Sequence, residues 1–138
     1  MQHDEFIGQV QARGKLSSRA QAERVTRSVL ETLGQRIPDG LADNLAAQLP
    51  HEIGEHLRRT EQPDHHGTGE QFDHDTFIAQ VSDKSGLDRP QATYATRVVC
   101  EVVGEATQGG LMAKVQAALP PDIRQTVTAG SAGNLRRR

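Results

Sequence analysis

Six histidines, a single cysteine and a pair of arginines at matching places are the residues of this chain whose types and spacing could do chemistry. His51-Glu52-Ile53-Gly54-Glu55-His56 resembles a zinc-protease helix, in which two histidines four apart share one face. Here they are five apart. That spacing turns a helix by about 500° and leaves the two imidazoles about 140° from each other. Pro50 and Gly54 loosen any ligand geometry further, so a surface or helix-end role is expected for both histidines. His65, His66 and His74, with Asp64, Asp73 and Asp75 close by, form the densest set of potential ligands. Imidazole and carboxylate suit a transition metal, but no fixed ligand spacing can be read there. The preferred reading is a solvated linker, with His65, His66 and His74 as weak metal candidates and a charge change near about pH 6 as a weak switch. No metal and no cofactor is therefore assigned.

The lone Cys100 excludes an intramolecular disulfide and any multi-cysteine metal site, and it points to a reducing cytosol. It stands in an apolar-rich helical stretch with no neighbouring positive charge of the kind that activates a thiol, so a small buried hydrophobe is expected. No serine sits in a nucleophile elbow, and no glycine-rich phosphate loop is present. Acid pairs such as Asp4-Glu5 fall at helix starts, where the macrodipole explains them. Enzyme chemistry is unsupported by any of these groups, and no catalytic residue is assigned.

The elements that must position these residues come from an internal repeat. Phe6-Ile7-Gly8-Gln9-Val10 recurs as Phe77-Ile78-Ala79-Gln80-Val81 at an offset of 71 residues. From Gln21 to Leu57 the offset becomes 70 and gives 13 identities in 37 positions, including Arg27/Arg97, Glu31/Glu101, Gly34/Gly104, Gly40/Gly110 and Pro50/Pro120. Matched Gly, Pro and Arg in one register indicate a duplicated unit. Each copy reads as three helices: about Asp4–Gln11, Arg19–Arg36 and a third through Leu41, Leu45 and Leu49, with apolar residues three or four apart. Gly14 and Gly86 lie near the turns that end the first helices, while Pro38-Asp39-Gly40 and Gly109-Gly110 mark the ends of the second. Pro50 and Pro120 stop the third, and short further helices through Ile53 and Leu57, or Ile123 and Val127, are candidates beyond them.

The expected fold is thus all-α, a bundle of six helices or more, built from two tandem three-helix repeats with pseudo-twofold symmetry. Repeat 1 covers residues 4–59 and repeat 2 residues 73–129, joined by a linker at 60–72 and followed by a flexible basic tail at 130–138. A lone unit of this size without disulfide or metal is marginal, so the two should share one domain over residues 1–129. The core must be aliphatic, because the only aromatics are Phe6, Phe72, Phe77 and Tyr94.

Charge and targeting narrow the partners. The net charge is −2, and −5 without Arg136-Arg137-Arg138, which argues against a nucleic-acid backbone as the ligand. The polar N-terminus lacks the apolar stretch of a signal peptide, and no apolar run is long enough to span a bilayer, so a cytoplasmic protein with no membrane partner is expected.

Phe-Ile-x-Gln-Val, then Arg-x-Val-Leu-Glu-Thr-Leu-Gly-Gln-Arg-Ile at Arg27–Ile37 and Leu-Ala-x-x-Leu-Ala-Ala-Gln-Leu-Pro at Leu41–Pro50, resembles the bacterial domain of unknown function numbered 2267. The resemblance covers about Asp4–Val127, and it implies an all-helical, internally duplicated fold without transferring any catalytic residue.

Three functional readings follow. The first is a non-enzymatic protein-interaction or regulatory module, binding a protein partner or itself, with Arg27, Arg97, Val98 and Val102 as candidate contact residues. Val98 and Val102 widen the apolar face of the second helix of repeat 2, and the two arginines are expected to form ion pairs with Glu31 and Glu101 or to hold a carbonyl between helices. The second is a nucleic-acid-associated protein using helices and the Arg136-Arg137-Arg138 tail. The third is a metal- or small-molecule-responsive protein using the histidine-rich linker.

Overall fold

The structure is a computed structural model, and it describes residues 1–58 and 72–131. His65, His66 and Arg136-Arg137-Arg138, and with them most of the expected linker and tail, lie outside the described residues. Eight helices are present among the described residues, with no strand: α1 (His3–Gly14), α2 (Arg19–Arg36), α3 (Asp39–Gln48), α4 (His51–Arg58), α5 (His74–Ser85), α6 (Arg89–Ala106), α7 (Leu111–Ala117) and α8 (Pro121–Ala129). None is long and apolar enough to cross a membrane.

Local chemistry sets the helix starts. Ser18 caps α2 by accepting from the Gln21 amide at 3.1 Å, and Asp73 caps α5 by accepting from the Thr76 amide at 2.9 Å. At α6, Asp88 accepts from the Gln91 amide at 2.9 Å while the Gln91 side chain accepts from the Asp88 amide, with Pro90 in the first turn. Pro50 and Pro120 do separate helices: each stands in the gap, and its carbonyl accepts the first bond of α4 or α8 at 2.9 Å. The expected third helix therefore ends there, and the short helices beyond it are real elements of the chain.

Two boundaries differ from the sequence reading. Helix α1 runs to Gly14, and the left-handed residue that ends it is Lys15 rather than a glycine. Pro38-Asp39-Gly40 does not form a longer break, because α2 stops at Arg36 and Asp39 and Gly40 already belong to α3. Proline preset in extended geometry at the N-cap lets α3 start at once, whereas α7 waits for Gly110 in a left-handed conformation.

The two 18-residue helices, α2 and α6, organise the packing. Helix α2 contacts α1, α4, α5 and α6, and α6 contacts α1, α5 and α8. Buried apolar side chains from all eight helices, among them Phe6, Val25, Leu45, Ile53, Phe77, Val99, Leu111 and Ile123, form one continuous cluster. Buried hydroxyls on the long helices bond backward to their own backbone, as in Thr32 to Ser28 O at 2.8 Å and Thr96 to Ala92 O at 2.9 Å, whereas the buried Thr26 hydroxyl on α2 has no partner among the described residues.

The candidate contact residues Val98 and Val102 require a correction. Both are fully buried, as are Val99 and Val103. The wide apolar face of α6 is covered by the neighbouring helices of the same chain, so it is core and presents no docking surface. Met1 is the only exposed large hydrophobic residue among the described residues.

Candidate functional site

With the apolar faces closed, the surface feature with chemical content is a polar groove of about 580 Å³ between α1, α2 and α4. Helix α2 supplies Ala20, Glu23, Arg24 and Arg27, and α4 supplies His51, Glu52, Glu55 and His56. Helix α1 closes one end with His3, while Ile7 and Ile53, both almost fully buried, form an apolar floor. The helical pattern explains the arrangement. Ile53 and Leu57 anchor α4 into the core, leaving its polar residues along the rim. Gly54 lets α4 lie directly on α3, since a Cβ there would stand 2.5 Å from the Ala46 carbonyl oxygen.

The charges of this groove are unevenly matched. Glu23 lies 3.9 Å from Arg19 and Glu55 lies 3.5 Å from Arg58, but those arginines also pair with Asp4 and Asp43, and Glu52 lies 4.0 Å from the His3 imidazole. Arg24 and Arg27 are both exposed and one turn apart on α2. Among the described residues, neither guanidinium makes an ion pair or a hydrogen bond. The groove thus sets two guanidiniums without direct partners beside the carboxylates of Glu23, Glu52 and Glu55.

Arg97 behaves differently from Arg27. Its Nε donates to the Gly130 carbonyl at 2.9 Å, and its guanidinium lies 5.3 Å from the centre of the Tyr94 ring. This is the carbonyl contact anticipated as one alternative, and it belongs to Arg97 alone. The i,i+4 ion pairs do not form. Glu31 faces Lys84 at 3.9 Å, and Glu101 accepts from Arg13 at 2.8 Å and from the Ser131 amide at 3.1 Å. Burial works to raise the Glu101 pKa, but the bonds from Ser131 and the Arg13 charge outweigh it and hold the carboxyl below its ordinary value. Arg13 is itself held more firmly protonated by its bonds to Glu105 and Glu101, against the opposing effect of burial.

His74 reaches Thr126 Oγ1 through Nε2 at 2.7 Å, and its amide donates to Asp122 at 3.2 Å. The contact docks α5 on α8. Among the described residues no group of three or more His, Cys, Asp or Glu is placed to hold a metal. Cys100 is buried, and desolvation pushes its thiol up to about 12, which removes it as a nucleophile. A second cavity of about 540 Å³ lies between the α1–α2 and α5–α6 turns, walled by Leu16, Leu87, Pro90, Tyr94 and Ala95, and offers no pair of charged groups.

The sequence reading weighed His51, His56 and Arg27 separately and missed His3, Glu23 and Arg24. Their only linear signal was Arg24 and Arg27 on one helical side. That His51 and His56 share a groove despite their angular separation follows from α1 and α2 flanking α4, which the residue spacing alone does not contain.

The profile of the family described as "Uncharacterized conserved protein (DUF2267)" matches residues 3–126. The chain belongs to the DUF2267 family. No curated protein matches it significantly. The match takes in every helix of this DUF2267 chain through α7 and most of α8, and with them all the groove residues.

Proposed function

We propose that this DUF2267 chain is a non-enzymatic, cytosolic binding module that recognises a protein partner through the α1–α2–α4 groove. The observation that carries this reading is the pair of exposed guanidinium groups, Arg24 and Arg27, which stand in the groove without an ion pair or hydrogen bond among the described residues. Polar recognition also agrees with the lack of an exposed apolar patch among the described residues, since large apolar patches are the usual mark of hydrophobic interfaces.

The architecture behind the module is two tandem units related by a pseudo-twofold. Its support is the sequence repeat together with helix lengths of 12, 18, 10 and 8 residues in α1 to α4 against 12, 18, 7 and 9 in α5 to α8.

A photo-crosslinking amino acid at Ala20, inside the groove, and at Gln125, exposed on α8, tests the proposal in living cells. A single recurrent polypeptide adduct from position 20 and none from position 125 is expected. No adduct, or the same adducts from both positions, defeats it.

A further inference from the structure

Leu16 and Leu87 are the same position of the sequence repeat, and both stand half-buried in the wall of the second cavity, beside Pro90, Tyr94 and Ala95. The volume of about 540 Å³ falls in the range of about 300–1,000 Å³ usual for small-molecule sites. The Tyr94 ring is a fixed part of that wall, because its hydroxyl donates to Arg13 O at 2.9 Å and the Arg97 guanidinium lies 5.3 Å from its centre. No acid lines the cavity among the described residues, and its polar groups offer donors. The Gln21 side-chain oxygen accepts from the Ser17 amide at 2.9 Å, and the Gln91 oxygen accepts from the Asp88 amide at 3.3 Å. Each carboxamide nitrogen is left as a donor without a partner among the described residues. Lys15 adds an ammonium with no ion pair or hydrogen bond among them. Its backbone is left-handed, with φ of 54°, where the repeat has Gly86, so α1 ends on a strained residue that brings a cation to the cavity edge.

We infer that this cavity binds a small amphipathic monocarboxylate, its apolar body against Leu16, Leu87 and Tyr94 and its carboxylate on Lys15 and the two carboxamides. A carboxylate only accepts hydrogen bonds, which suits an edge that offers donors. One ammonium matches one negative charge, whereas a phosphate monoester, at about −1.5 to −2, would hold an unbalanced charge against an apolar wall. The charged neighbours on the two turns do not reverse this. Asp88 is held as the α6 cap, Arg19 pairs with Asp4 and Glu23, and the exposed Arg89 adds a cation. The cavity shares no lining residue with the α1–α2–α4 groove, so the two sites stand or fall separately.

Tyr94 is the only tyrosine and the chain has no tryptophan, so its intrinsic fluorescence reports on the cavity wall. The test titrates the full chain with decanoate below its micelle-forming concentration, beside decan-1-ol and decylammonium. Decanoate should change the emission saturably, the alcohol should bind about fivefold more weakly, and the ammonium more weakly again. Lys15→Gln should bring decanoate binding down to that of the alcohol at an unchanged urea midpoint, and Lys15→Arg should retain it. Lys114→Gln, at an exposed lysine on α7 outside the cavity, should leave binding unchanged. No saturable response to decanoate, equal binding of the alcohol or the ammonium, or decanoate binding that survives Lys15→Gln undiminished overturns the assignment. So does an equal loss in Lys114→Gln, which would mean attraction to surface lysines at large. Displacement of decanoate by inorganic phosphate overturns it by naming another anion, and a large fall in the urea midpoint of Lys15→Gln overturns it by making the lysine structural.

Discussion

Lys15 and Gly86 end α1 and α5 in the same left-handed backbone conformation, with φ of 54° and 82°. The carbonyl bonding differs: beyond Lys15 the next residue, Leu16, donates its amide to Gln11 O at 3.0 Å, whereas Gly86 itself donates to Ser82 O at 2.9 Å. Glycine adopts this conformation without steric cost, whereas a residue with a Cβ loses about 1 kcal/mol. Lys15→Gly should therefore raise stability by about 0.5–1 kcal/mol, read as a higher urea midpoint at unchanged slope. A lower midpoint would mean that the Lys15 stem, which lines the second cavity, contributes more than its backbone costs.

Gly54 on α4 meets α3 with no room for a side chain. An added Cβ would stand 2.5 Å from the Ala46 oxygen and 3.1 Å from its Cα, and these are backbone atoms that cannot rotate away. Gly54→Ala should cost about 1–3 kcal/mol, despite the higher helix propensity of alanine, because the two helices must separate. Since α4 carries one rim of the groove, the same variant should also weaken the crosslink from position 20. A neutral or stabilising effect in denaturant titration would show that the helices part freely.

Val102 decides whether the apolar side of α6 is core or contact surface. Removing its two methyl groups leaves a cavity in a fully buried site, so Val102→Ala should cost about 2 kcal/mol and leave the mass seen by light scattering unchanged. An altered association state at unaltered stability would restore the docking role.

The helices themselves could be read from the chain because their signals are local. Ser18, Asp88, Pro90, Pro50 and Pro120 sit within a turn of the boundaries they set, and the repeat supplied the cap and the closing proline twice. What escaped was tertiary. An amphipathic pattern shows that Val98 and Val102 face something apolar, but not that α6 is enclosed by its own chain. The groove escaped for the same reason: His3, Arg24 and His56 come from three helices and meet only after packing. Lys15 was passed over because Gly14 beside it is the better residue for a left-handed turn, and the cap fell one residue later.

Cys100 offers a probe of the core. Burial pushes its thiol up to about 12, and its side chain has no path to solvent in the folded chain. An aromatic disulfide reagent at about pH 8 should leave the native protein unlabelled over a time in which the guanidinium-unfolded protein reacts with one thiol per chain. Rapid stoichiometric labelling without denaturant would place Cys100 at the surface and break the account of α6.

Glu101 links the two ends of the described chain. Its carboxylate accepts from Arg13 on α1 at 2.8 Å and from the Ser131 amide at 3.1 Å, and those bonds hold its pKa below the ordinary glutamate value of 4.5. A carboxyl that binds its proton more weakly in the folded state than in the unfolded chain stabilises the fold fully above the unfolded value. That contribution disappears as pH falls below 4.5 and through the folded value. Glu101→Gln should thus lower stability by about 1–2 kcal/mol at neutral pH and narrow the gap to the parent protein as the solution is acidified. Denaturant midpoints measured for both proteins from neutral to acid pH check this. A gap that stays constant across the series would assign the loss to packing, and a gap that widens toward acid would reverse the sign of the linkage.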